Sequence, residues 1–126
     1  MEIQWFMRNN HGVATVYETN ITLNTVAANH FKSAYTTLIG FDEKHCTLVI
    51  KAVSKDDFAM GLYSEEETHP ISIKPSYGRI NGKNIIRNLA LKFPLSFTDK
   101  SFYKYPCEWV PEEKMLKIFL EKEISV

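Results

Sequence analysis

Two periods of apolar residues run along the chain, and the switches between them mark out its elements. The aromatic and apolar stretch 3–8, the turn signal Asn9-Asn10-His11-Gly12 and the β-branched alternation of 13–23 predict a β-hairpin. From Asn24 the period changes. Ala27, Phe31, Ala34, Tyr35 and Leu38 recur at three- and four-residue spacing, which predicts a helix of about three turns capped by Asn24 or Thr25. Residues 37–41, a turn at 42–45 and residues 46–53 predict a second hairpin, with Leu48, Ile50 and Ala52 on one side. The polar stretch 54–70, broken by Gly61 and Pro70, reads as a connector with a short helix near 55–60. A short strand at 71–75 and the segment Gly78-Arg79-Ile80-Asn81 lead into a helix from about Lys83 to Phe93, stopped by Pro94. Residues 102–110, a turn at 111–114 and residues 115–122 predict a third hairpin. Pro106 implies that its first strand lies at an edge or carries a bulge.

The two halves of this plan repeat each other. With a shift of 59 residues, Ile21 falls on Ile80, Ala27 on Ile86, Phe31 on Ala90 and Ala34 on Phe93. After the helix the shift is 68, placing Leu48, Ile50 and Ala52 on Leu116, Ile118 and Leu120. The expected architecture is therefore α+β and strand-rich, a single domain over 1–126. Two βαββ-like pseudo-repeats, 1–53 and 71–126, share a sheet or barrel with one helix each and are joined by the connector 54–70.

The stretches "GRINGKNIIRNL" (78–89) and "ITLNTVAANHF" (21–31), each followed by a hairpin, resemble the AbrB/MraZ superfamily of swapped-hairpin DNA-binding regulators. Gly78-Arg79-Ile80 matches the strand of that pattern, and Lys83, Ile86, Arg87 and Leu89 match its helix. Gly82 stands where the family has proline, the first copy offers Thr19-Asn20-Ile21 in place of the Gly-Arg-Ile run, and the Asp-x-x-x-Arg signature of the MraZ branch is absent. The resemblance implies a two-copy fold and a DNA-binding role for Arg79, Lys83 and Arg87.

Charge sharpens that expectation. The 15 acids and 15 bases cancel overall, yet residues 68–98 hold five bases (Lys74, Arg79, Lys83, Arg87, Lys92) and no acid, while 1–67 hold nine acids against five bases. Clustered positive charge attracts anions. On a helical wheel Lys83 and Arg87 share one stripe opposite Ile85, Ile86, Leu89 and Phe93, giving an amphipathic helix with a cationic, amide-rich wet side that suits phosphate contacts. Its bland counterpart is a solvated face neutralised in space by the acidic run Glu65-Glu66-Glu67.

Other chemistry is sparse. Cys46 and Cys107 form no C-x-x-C pair and read as free, half-buried thiols, and His11, His30, His45 and His69 have no metal-ligand spacing. There is no G-x-S-x-G, no phosphate-binding glycine loop with lysine and no H-E-x-x-H. Asp56-Asp57 and Glu65-Glu67 read as solvated charge, and Tyr103 and Tyr105, flanking Lys104, read as one inward strand face. No apolar run is long enough for a membrane helix and the start does not read as a signal peptide, so a cytoplasmic protein is expected. The reading is a non-enzymatic protein without metal or cofactor, a homo-oligomer that binds double-stranded DNA through Arg79, Lys83 and Arg87, with Lys74 and Lys92 adding to the field. In the alternative, the same window docks on an acidic protein partner or subunit.

Overall fold

Alternating Val, Ile, Thr and aromatic residues build strands because branched side chains pack well on a pleated surface. The structure is a computed structural model that describes residues 2–4 and 11–125. Its strands are β1 (Gly12–Tyr17), β2 (Asn20–Asn24), β3 (Thr36–Asp42), β4 (Thr47–Val53), β5 (Ser72–Ile73), β6 (Tyr77–Asn81), β7 (Phe102–Val110) and β8 (Met115–Phe119). All pairings are antiparallel, in the order β3-β4-β8-β7-β1-β2-β6-β5, and the sheet curls into a half-barrel. The helices are α1 (Thr25–Ala28), α2 (Lys55–Ala59) and α3 (Lys83–Lys92), with 3-10 turns at Asn29–Phe31 and Glu65–Glu67. No described helix is long and apolar enough to cross a membrane.

The inner face of the sheet carries one continuous core. Ala14 and Val16, Ile21 and Leu23, Leu48 and Ile50, Ile80, Tyr105, Leu116 and Ile118 all turn inward. Helix α1 brings Ala27, Ala28 and the following Phe31 onto this face, and α3 brings Ile85, Ile86 and Leu89. Burying a side chain such as Phe31 or Leu116 stabilises by about 1.5–3 kcal/mol, so this face fixes the register of every strand. Gly78 lets α1 approach β6 closely, since a Cβ there would stand 3.1 Å from the Ala28 Cβ.

The structure departs from the sequence expectations in four places. The first hairpin lies within 12–24: β1 and β2 turn at Glu18-Thr19, so 13–23 is not one strand, and residues 5–8 of the expected partner strand lie outside the described residues. The first helix is α1 plus one 3-10 turn, ending at Phe31, because the chain must return at Thr36 to begin β3. Leu38 therefore sits on a strand. In place of two βαββ units the element order is β1-β2-α1-β3-β4, then α2, then β5-β6-α3-β7-β8.

Finally, β7 is an interior strand between β8 and β1. Its tolerance of Pro106 has a local reason. The Lys104 carbonyl accepts from the Ile124 N–H at 2.7 Å, so by strand alternation Pro106 turns its nitrogen to that same side. The β7–β8 ladder ends at Cys107↔Ile118, one residue short of Pro106, and no ladder bond is demanded there.

Candidate nucleic-acid interface

Helix α3 positions two of the five expected cations together. Its buried side, Ile85, Ile86 and Leu89, fixes the rotation of the helix, which leaves Lys83 and Arg87 exposed one turn apart. They border a groove of about 330 Å³ with Glu18, Thr19, Ile86, Ala90 and Phe97. No carboxylate among the described residues lies within ion-pair distance of either cation. The acidic run Glu65-Glu66-Glu67 does not reach them. It closes on itself instead, the Ser64 N–H donating to Glu67 Oε1 at 3.2 Å in a capping box.

The other three cations are elsewhere. Lys92, at the end of α3, is paired with Glu43 at 2.9 Å, a contact that raises its pKa. Lys74 is exposed in the β5–β6 turn, its N–H donating to the Tyr77 carbonyl. Arg79 alternates with the buried Ile80 on β6 and so points to the outer face of the sheet, away from α3, with its guanidinium 5.4 Å from the centre of the Tyr77 ring. The basic window thus wraps the β5–β6 end of the sheet on both of its sides.

The outer face around Arg79 contains a second set of residues that the sequence reading missed. Register aligns Ser72, Arg79, Thr22, Thr15 and Lys104 in one row across β5, β6, β2, β1 and β7. Beside it, Asn81 pairs with Asn20, and Tyr17 pairs with Phe102 with ring centres 6.0 Å apart. Lys104 stands 5.7 Å from the Phe102 ring centre. Lys104 was singled out in the sequence beside Tyr103 and Tyr105, but those two turn inward, stacked at 6.4 Å, and its true neighbour is Phe102. Strand parity could have given that orientation; the row across β6, β2, β1 and β7 requires the sheet order.

The remaining polar groups are dispersed. Among the described residues no three His, Cys, Asp or Glu side chains gather as metal ligands. Cys46 and Cys107 are free and partly buried, and burial pushes the Cys107 thiol up to about 12, so its thiolate is scarce at neutral pH. His30 stacks on Trp109 at 4.7 Å, and His69 makes an isolated bridge with Thr37; burial lowers the pKa of both. Asp56 and Asp57 are exposed in the first turn of α2, as are Glu65, Glu66 and Glu67 in their 3-10 turn. No protein-family model, no curated protein and no solved structure matches this chain.

Proposed function

We propose that the chain is a non-enzymatic, cytoplasmic nucleic-acid-binding protein of AbrB/MraZ type, built from a duplicated ββαββ unit and acting on double-stranded DNA as a homo-oligomer. The observation that carries this reading is the pair Lys83 and Arg87, exposed one turn apart on α3 and without a carboxylate partner among the described residues. Such cations contact phosphates and set the register of a protein on a duplex. Lys74 and Arg79 extend the positive field around the β5–β6 end, while Lys92 contributes less because Glu43 already neutralises it.

Three features support the duplication. Ile21, equivalent to Ile80 by the 59-residue shift, is also its partner across β2 and β6. Val49, equivalent to Lys117 by the 68-residue shift, is likewise its partner across β4 and β8. A residue paired with its own equivalent marks a local two-fold axis, and the two axes cross the sheet four strands apart. The four-residue turns of the two hairpins also each end in a residue with positive φ, Cys46 (50°) and Lys114 (54°), which are again 68 apart. Non-glycine residues seldom adopt that conformation, so the coincidence is specific.

Duplex binding measured by anisotropy against salt tests the function. Affinity should fall steeply between about 50 and 200 mM salt. The double variant Lys83→Ala/Arg87→Ala should bind more weakly with a slope shallower by roughly 2, one per lost phosphate contact. Absence of duplex binding at about 50 mM salt refutes this reading. It would leave the second one, an acidic protein partner on the same window, which the Lys92–Glu43 contact favours as an example of a carboxylate held there.

A further inference from the structure

We propose that the outer face of β7-β1-β2-β6 binds a short single-stranded nucleic acid. Tyr17, Phe102 and Tyr77 offer ring faces to bases, and Lys104 and Arg79 hold the phosphates between them. This surface is separate from the α3 pair, and the proposal stands whether or not α3 meets a duplex.

The first argument is the distribution of charge over one sheet. In the β3-β4-β8 half the outward positions mix signs: Asp42 on β3, Lys51 on β4 and Lys117 on β8, which faces Glu108 of β7 in register. On β6, β2, β1 and residues 102–106 of β7 the outward positions hold Arg79 and Lys104, threonines (Thr15 of them buried), asparagines, Val13, Pro106 and aromatic rings, with no carboxylate. A strand face needed only for solubility mixes charges, as the other half does. Two acids border this face: Glu18 in the β1–β2 turn, and Glu123, which lines a pocket with Phe102 and Lys104 and is paired with Lys100.

The second argument is the pairing of cation and ring. Both cations rest beside an aromatic face, Arg79 over Tyr77 and Lys104 over Phe102. Aromatic residues interleaved with cations are what single strands require, since every base has a face to stack and every nucleotide a phosphate to neutralise. The rings of Tyr17, Tyr77 and Phe102 are half-buried, and the helices α1 and α3 pack on the opposite face.

Size selects a single strand over a duplex. Strands lie about 4.8 Å apart and alternate residues about 6.6 Å apart along each, so the grid from Phe102 to Tyr77 measures roughly 14 by 13 Å. That accommodates two or three splayed bases, as four-stranded sheets with aromatic platforms do. Bases inside a duplex are already stacked on one another and cannot reach rings lying at the level of a sheet.

The test is binding of labelled hexamers of uridine and of deoxythymidine, with a blunt duplex alongside, at about 50 mM salt. Hexamer binding is expected. Tyr17→Leu and Phe102→Leu, which keep apolar volume and remove the ring, should each weaken it about tenfold, and Lys104→Ala should lower the salt slope by about 1. Lys83→Ala/Arg87→Ala should leave hexamer affinity unchanged, and the leucine variants should leave duplex affinity unchanged, so failure of the α3 reading and failure of this one are told apart. Thermal unfolding verifies that the leucine variants are folded. Should one of them unfold, Lys104→Glu, an exchange on a half-buried outward side chain, must abolish hexamer binding while thermal unfolding shows the variant folded. The proposal is overturned by no hexamer binding, by leucine variants that bind as the parent does, or by hexamer binding lost only with Lys83 and Arg87. Binding of either hexamer, or equal binding of both, supports it.

Discussion

Among the described residues Tyr105 is the largest fully buried side chain, and its hydroxyl has no hydrogen-bond partner there. Burial pushes its pKa up, and charge repulsion from the ionised Tyr103 hydroxyl adds to the shift. An unpaired buried hydroxyl costs about 1–3 kcal/mol in desolvation, so Tyr105→Phe should raise stability by about 1 kcal/mol in urea denaturation. A loss of stability would mean that the hydroxyl is paired after all. His30 and His69 make a second prediction at this scale. Burial depresses their pKa values below the ordinary 6.5, so between that value and the lower folded one the unfolded chain binds protons that the folded chain does not. Stability should therefore be complete above about pH 6.5 and decline as pH falls through the depressed values. Urea midpoints at about pH 7.5 and 5.5 should show that decline, and His30→Gln with His69→Gln should reduce it.

At the scale of elements, α1 depends on one side chain. Asn24 Oδ1 accepts from the Ala27 N–H at 3.1 Å, capping the helix, and from the Val13 N–H at 3.0 Å. Its amide donates to the His11 carbonyl at 2.7 Å. Asn24→Ala removes all three bonds and should cost about 2 kcal/mol, whereas Asn24→Asp keeps the accepting oxygen and should cost less. Equal losses for the two would show that capping is not the main role. The cap was legible in the sequence, as were both four-residue hairpin turns and α3 with its proline stop, because each rests on local chemistry. The β1–β2 turn was not. Glu18-Thr19 is a weak turn signal, and the one trace of it is a parity switch, with Ala14 and Val16 inward but Ile21 and Leu23 inward after it. The helix beginning at Thr25 was overextended because Ala34, Tyr35 and Leu38 continue a helical spacing by coincidence, while β-branched Thr36 and Thr37 start a strand. The candidate site divides the same way. Lys83 and Arg87 share a stripe by helical period alone, but Arg79 alternates to the other side of the sheet, and Lys104 joins its row through the pairing of Thr15 with Lys104, about 90 positions apart in sequence.

At the scale of the whole molecule, the half-barrel has one well-closed join between its four-strand groups β3-β4-β8-β7 and β1-β2-β6-β5, and one slight one. β1 pairs with β7 through six residues, from Gly12↔Cys107 to Tyr17↔Phe102. At the other side of the ring, β3 meets the chain leading into β5 only where Thr37 donates to the His69 carbonyl at 3.1 Å and accepts from its N–H at 2.8 Å, reinforced by the Thr37 hydroxyl at 2.6 Å. Since Thr37 turns its backbone groups away from β4, strand alternation turns those of Ile39 and Phe41 the same way, where no described strand pairs with them. Leu38 and Gly40 turn theirs toward β4. Amide exchange should therefore alternate along β3, with Ile39 and Phe41 exchanging at least about 100-fold faster than Leu38 and Gly40, because only the latter require the ladder to open. β1 should show no such alternation over 14–16, where β2 and β7 pair with both sides. Residue-resolved exchange in dilute protein measures this directly. Uniform protection along β3 would mean that a strand occupies its free edge, and dependence of that protection on protein concentration would identify the strand as belonging to a second copy of the chain.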